Sequence, residues 1–143
     1  MTFKLLGRPT NGGVRLPFFL FRVPAGFPSP AQDHLEHEIS LDELFDLRAP
    51  HSYVVKVAGD SMVGAGIFDG DLLVVDRSRE ARQGDVVIAA LNNEPLVKRL
   101  CRDGAQVVLR SENPVYPPRY VLEGDELCVW GVVRFSVRCH DAG

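Results

Sequence analysis

The sequence predicts a mainly β domain preceded by an extended N-terminal arm, on three observations. From Tyr53 onward, short runs rich in valine and leucine alternate with turn residues at regular intervals, the pattern of a chain built from strands. Residues 1 to 28 instead scatter glycine and proline from Gly7 to Pro28 with little periodicity, which describes an extended segment with its backbone open to a protease. At 143 residues, 45% hydrophobic and 24% charged, the chain is one ordinary domain plus an appendage, long enough to bury a core without disulfides.

After the arm come two helix starts of the capping-box kind. One is Ser29 with Pro30 at the first helical position and Gln32 three residues on, and the firmer one is Ser40 followed by Glu43. Leu41, Leu44, Phe45 and Leu47 would give the second, short helix one apolar side before Pro50 ends it. The strand candidates are Tyr53 to Val57, Leu72 to Val75, Val86 to Leu91, Leu96 to Leu100, Gln106 to Arg110 and Leu127 to Val137. Between them stand Asp69-Gly70-Asp71, Gln83-Gly84-Asp85, Asn92-Asn93, Asp103-Gly104 and Glu123-Gly124-Asp125, each with a residue that tolerates positive φ or caps its own backbone. Hairpins are the default connection.

Composition narrows the function. A net charge of -3 lacks the positive excess that supplies phosphate contacts, which disfavours direct nucleic-acid binding. Cys101, Cys128 and Cys139 are odd in number with no CxxC pair and read as reduced thiols in a cytoplasmic setting. Lys4, Arg8 and Arg15 ahead of Phe18-Phe19-Leu20-Phe21, with Val23-Pro24-Ala25 after, imitate a secretory signal. The apolar run, however, contains Pro17 and stops at Arg22, short of a signal core. No stretch approaches the ~18 apolar residues of a membrane span. His34 and His37 flank Glu36 at a spacing that reads first as a solvated helix face rather than a metal site. No glycine-rich loop matches a phosphate-binding pattern, none of the four histidines stands at an evident strand end facing Ser61, and no cofactor or metal is called for.

Two residues carry the chemistry. Ser61, in Ala58-Gly59-Asp60-Ser61-Met62, follows a strand, and Gly59 permits a tight turn that leaves the hydroxyl unshielded. Taken alone, a serine beside Gly and Asp reads first as a turn cap. Lys98 lies in Leu96-Val97-Lys98-Arg99-Leu100, where strand alternation puts it on the face of two leucines. An apolar setting there would disfavour the ammonium and lower a pKa of ~10.4; bringing it near neutrality takes about three units, roughly 4 kcal/mol, which only a desolvated position could supply. By strand pattern alone, the same lysine reads first as a side chain snorkelling to solvent.

In combination, Ala25-Gly26-Phe27-Pro28-Ser29-Pro30, Gly59-Asp60-Ser61-Met62, Gly70-Asp71-Leu72-Leu73-Val74-Val75-Asp76, Gly84-Asp85-Val86-Val87-Ile88-Ala89-Ala90 and Val97-Lys98 resemble the UmuD branch of the LexA-like self-cleaving serine peptidases. The order and spacing match from about residue 17 to residue 138. The resemblance implies a fold of bent, partly open small β-sheets. It also implies Ser61 as nucleophile, Lys98 as the neutral lysine that takes its proton, and Ala25-Gly26 as the scissile bond. Residues 1–25 would then be a cleavable arm and residues 26–143 the peptidase domain. It further implies a homodimer, a cut provoked by RecA filaments on single-stranded DNA, and a trimmed form that joins a UmuC-like translesion polymerase subunit in SOS mutagenesis. LexA and the phage repressors carry a helix-turn-helix domain, for which the 25 residues before this bond leave no room. Ala25 stands where UmuD has cysteine and LexA has alanine. Two rivals stay open: a non-catalytic β-domain adaptor whose arm another protease trims, and an exported protein with a marginal signal.

Overall fold

The computed structural model describes residues 1–7, 15–19, 35–47 and 50–141. The chain divides into two compact units, one of Met1–Pro9 with Pro50–Gly143 and the other of Thr10–Ala49. In the first unit, eight strands form one open sheet. They are β1 (Thr2–Gly7), β4 (Ser52–Ala58), β5 (Leu72–Asp76), β6 (Val86–Leu91), β7 (Glu94–Asp103), β8 (Gln106–Arg110), β9 (Arg119–Tyr120) and β10 (Leu127–Val137). The order across the sheet is β1-β4-β5-β10-β6-β7-β8-β9, and every pairing is antiparallel. The second unit holds β2 (Arg15–Phe19) paired with β3 (Leu35–Ser40), followed by the single-turn helix α1 (Leu41–Leu44).

Each strand expected beyond Tyr53 is present, and the turns are made as their residues require. Asn92 and Asn93 both take positive φ between β6 and β7, the two-residue turn whose twist suits a hairpin. Gly104 does the same between β7 and β8 at φ +64. Hairpin connection fails at Gln83-Gly84-Asp85: β10 runs between β5 and β6, so the segment carrying Gly84 crosses over β10. Both β5 and β6 are inner strands of the sheet, and their residues are almost all buried after the first. Strands covered on both faces read as continuous apolar runs, not alternating ones.

Neighbouring residues of β6 serve two cores, because successive side chains leave opposite faces of a strand. Ile88 packs with Val55, Val57, Met62, Leu73, Val75 and Val97, while Val87 and Ala89 pack with Leu91, Leu100, Leu109 and Val132. β10 reaches both neighbours through bulges, between Val129 and Gly131 against β6 and between Val133 and Phe135 against β5. Gly131 sits where a Cβ would come within 2.6 Å of Val75 Cγ1, so only glycine lets the bulged strand lie this close.

The N-terminal stretch holds more structure than its composition predicts. β1 pairs with β4 from Thr2↔Ala58 to Gly7↔Val54, and β2 pairs with β3. The helical reading around His34 and His37 gives way to strand β3 from Leu35 on; Ser29, Pro30, Gln32 and His34 lie outside the described residues. The Ser40 start is as expected, with its Oγ accepting from the Glu43 amide at 3.2 Å. The apolar side foreseen for α1 is not buried, since Leu41 is 49% and Leu44 44% exposed. Among the described residues no helix is long and apolar enough to cross a membrane.

Candidate active site

Ser61 lies in the long connection from β4 to β5, which leaves the strand through Gly59 at φ +103. The Gly59 amide donates to Asp69 Oδ1 at 2.8 Å, and the Gly70 amide returns to Val57 O at 2.8 Å, so the connection closes on itself at its base. Met62 and Ile67 then sink into the first core at 0% and 4% exposure, anchoring the segment by apolar burial. Ser61 is only 2% exposed, which a turn-capping serine at the surface would not be.

A second segment, just after β8, clamps this one. The Glu112 amide donates to Ser61 O at 2.8 Å and the Gly64 amide to Glu112 O at 2.7 Å. Asn113 Nδ2 donates to Asp60 O at 3.0 Å and the Tyr116 hydroxyl to Asp60 Oδ1 at 2.5 Å. Glu112 itself is held by an ion pair with Arg99, whose guanidinium also donates to Gly84 O at 2.6 Å. The Ser61 backbone is thus tied to β7, β8 and the β5–β6 crossover. Beside the clamp, a cavity of about 500 Å³ opens between Gly64 and the stretch Ser111, Asn113, Tyr116 and Pro117.

Lys98 enters from β7, where it stands opposite Val87. Val87 packs in the second core with Leu100 and Leu96, the two leucines that mark an apolar face in the sequence. Lys98 Nζ donates to Ser111 Oγ at 2.8 Å and lies 5.7 Å from the Tyr116 ring centroid. Burial holds the Lys98 amine below the ordinary lysine range, opposed by its hydrogen-bonding contact with the Met1 α-amino group. That α-amino group is the link between the two residues: its nitrogen donates to Ser61 Oγ at 3.0 Å. Met1 O accepts from the Val97 amide at 3.2 Å, bringing the start of β1 against β7. Burial first, and then the Lys98 charge, hold the Met1 amine below its ordinary value, partly offset by Asp60 and Glu94.

Ser61, Lys98 and an α-amine therefore form a chain of contacts: the Ser61 hydroxyl meets the Met1 amine, which in turn contacts Lys98, and both amines have weakened affinity for their protons. Such a set can pass a proton from oxygen to nitrogen. Ser111 and the Met1 amine are participants that the residue pattern did not single out. Ala25 and Gly26 lie outside the described residues. Among the described residues no cluster of histidine, cysteine and carboxylates could hold a metal.

The fold and this cluster point to a peptidase, and comparison with known families agrees. Residues 17–134 match the family described as Peptidase S24-like, and the chain belongs to that family. It is of the UmuD-like kind within the LexA-like peptidases, as the motifs indicated. It is 43% identical over 117 residues to Protein SamA of Salmonella typhimurium, covering 82% of this chain and 81% of that one. It is 40% identical over 126 residues to Protein MucA of Escherichia coli, covering 87% and 86%. The LexA repressor of Bordetella avium is 43% identical over 119 residues, 83% of this chain and 55% of the repressor. The chain thus spans about half the length of the LexA relatives it matches.

Proposed function

We propose that the chain is a self-cleaving serine peptidase that cuts its own Ala25-Gly26 bond, with Ser61 as nucleophile and Lys98 as general base. The observation that supports this reading is the buried Ser61 hydroxyl and the half-buried Lys98 amine, both in contact with the Met1 α-amine and with the Ser111-Glu112 segment that clamps the Ser61 loop. A neutral Lys98 takes the Ser61 proton as Oγ attacks the Ala25 carbonyl carbon. The tetrahedral adduct collapses, the C–N bond breaks, and Lys98 returns the proton to the departing Gly26 amine. Water then attacks the Ala25 ester, with Lys98 again the base, and frees Ser61.

In this reading RecA filaments on single-stranded DNA provoke the cut. The trimmed chain acts as a dimer in the cytoplasm as the accessory subunit of a UmuC-like error-prone polymerase. The UmuD-like membership and the SamA and MucA relatives support that setting.

The test is intact-mass measurement of purified protein at neutral and mildly alkaline pH, with and without RecA filaments, beside Ser61→Ala and Lys98→Ala. A cut after Ala25 that requires both side chains is expected. A cut indifferent to Ser61 would return the chain to the adaptor reading, and a cut that survives Lys98→Ala alone would pass the base's role to the Met1 amine.

A further inference from the structure

Resting on the Ser61–Lys98 reading above, we infer that Ser111 is a positioning residue for the base: its hydroxyl oxygen aims the Lys98 amine at Ser61.

A neutral amine has one lone pair and two N–H bonds, and it turns freely about its last C–N bond among staggered positions. Only when the lone pair faces Ser61 Oγ can it take the proton. Ser111 Oγ, 2.8 Å from Lys98 Nζ, accepts one N–H and removes that freedom. The same contact serves the next moment of the reaction: once Lys98 is an ammonium it has three N–H bonds to satisfy in a half-buried place, and Ser111 takes one of them.

The fold fixes this oxygen relative to the nucleophile. β7 and β8 pair with Arg99 opposite Arg110, so the next step of the ladder sets position 98 against position 111. The residue after Ser111 donates its amide to the carbonyl of Ser61 itself, at 2.8 Å. One dipeptide, Ser111-Glu112, therefore holds the base by a side chain and the nucleophile by its backbone.

The other groups around Lys98 do not duplicate this. From the start of the chain comes the Met1 α-amine, which also contacts Lys98 but is turned to Ser61 Oγ at 3.0 Å and becomes a like charge when protonated. From the 111–118 segment comes the Tyr116 ring, whose hydroxyl is engaged with Asp60. Glu112 is committed to Arg99 across the loop. Ser111 is the neutral acceptor.

The experiment measures the self-cleavage rate against pH for the full chain and for Ser111→Ala and Ser111→Thr, with Ser61→Ala and Lys98→Ala alongside. Ser111→Ala is expected to cut about 10-fold or more slowly on the alkaline plateau. The midpoint of its pH profile should fall by about half a unit to one unit, because the ammonium loses an acceptor. The melting temperature should fall by no more than ~4 °C, because the contact is a single partly buried hydrogen bond. Ser111→Thr, which keeps the oxygen, should restore both rate and midpoint. A Ser111→Ala protein with wild-type rate and midpoint, beside inert Ser61→Ala and Lys98→Ala, would overturn the Ser111 role alone. Undiminished cleavage by Ser61→Ala or Lys98→Ala would overturn the dyad beneath it.

Discussion

Gly64 is the place where the two loops of the site touch backbone to backbone, and Gly64→Ala is the perturbation that tests whether their clamp matters. A Cβ at this position would stand 2.6 Å from the Glu112 carbonyl oxygen and 3.3 Å from its carbon. Ordinary contact begins near 3.4 Å, so the loops must part by about 0.8 Å. No flexible side chain can yield, because the obstructing atom is main chain. Parting them stretches the Gly64 N to Glu112 O bond from 2.7 Å beyond useful range. Overpacking at ~1–3 kcal/mol and a lost hydrogen bond at ~1 kcal/mol together cost about 2–4 kcal/mol, or roughly 10 °C in melting temperature for a chain of this size. Because Glu112 also holds the Ser61 carbonyl, a shift approaching 1 Å should slow cleavage on the order of 100-fold. Gly124→Ala is the control: Gly124 has φ +91 with no atom within 4 Å of a built Cβ, so it loses about 1 kcal/mol to strain alone. The assay pairs calorimetry with the intact-mass cleavage time course. Expected are a large loss of rate for Gly64→Ala and a wild-type rate for Gly124→Ala despite its lower melting point. A Gly64→Ala chain that melts and cuts like wild type would refute the clamp.

Other expectations follow from the same geometry. Because burial depresses the Lys98 amine, self-cleavage should accelerate as pH rises through that lowered value and then level off; a flat rate from neutral to alkaline pH would remove Lys98 as base. Lys98→Met should abolish cleavage while leaving urea stability at or above wild type, since a half-buried charge beside a second amine is removed. Asp71, 2% exposed and bound by Arg138 at 2.9 Å, has its carboxyl held low chiefly by that guanidinium. Its contribution is therefore complete above the unfolded carboxylate value of ~3.9 and lost as pH falls through the lower folded value. Asp71→Asn should be about 1–3 kcal/mol less stable at pH 7 and converge with wild type in strong acid, as urea titrations would show. Burial pushes the Tyr53 hydroxyl, bonded to Trp130 O at 3.1 Å, up to about 12, so an ultraviolet titration should show tyrosine ionisation persisting to that pH, and Tyr53→Phe should remove it. Alkylation of the native protein should label Cys128 and Cys139, both exposed, ahead of the half-buried Cys101.

What could be read without coordinates was what repeats locally. Val86 to Leu91, Gln106 to Arg110 and Leu127 to Val137 have the same ends in the sequence and in the fold, because β-branched runs between positive-φ residues leave the backbone few choices. β1 and β3 escaped because Thr2–Gly7 and Leu35–Ser40 are strands by virtue of partners far along the chain, and tertiary pairing overrides weak local preference. Ser61 and Lys98 were singled out through motif and alternation, and their burial, at 2% exposure for Ser61 and half-buried for Lys98, is what the proposed chemistry asks of them. Ser111 was hidden, though a signal existed: with Asp103 paired to Gln106, the hairpin register sets 98 opposite 111. The Met1 amine had no local signal, since its place depends on β1 lying along β4 and against β7.

The position of β10 has a consequence for the life of the chain. Ser61 belongs to the half of the sheet carrying β4 and β5, and Lys98 to the half carrying β6 to β9; β10 is the seam between them. A nascent chain that has left the ribosome only as far as β9 already carries both residues, but the strand that sets their halves side by side has yet to be made. Joining parts so distant in sequence is slow and comes late. If Ser61 and Lys98 cut as proposed, competence to cut is thereby deferred until translation has passed through β10.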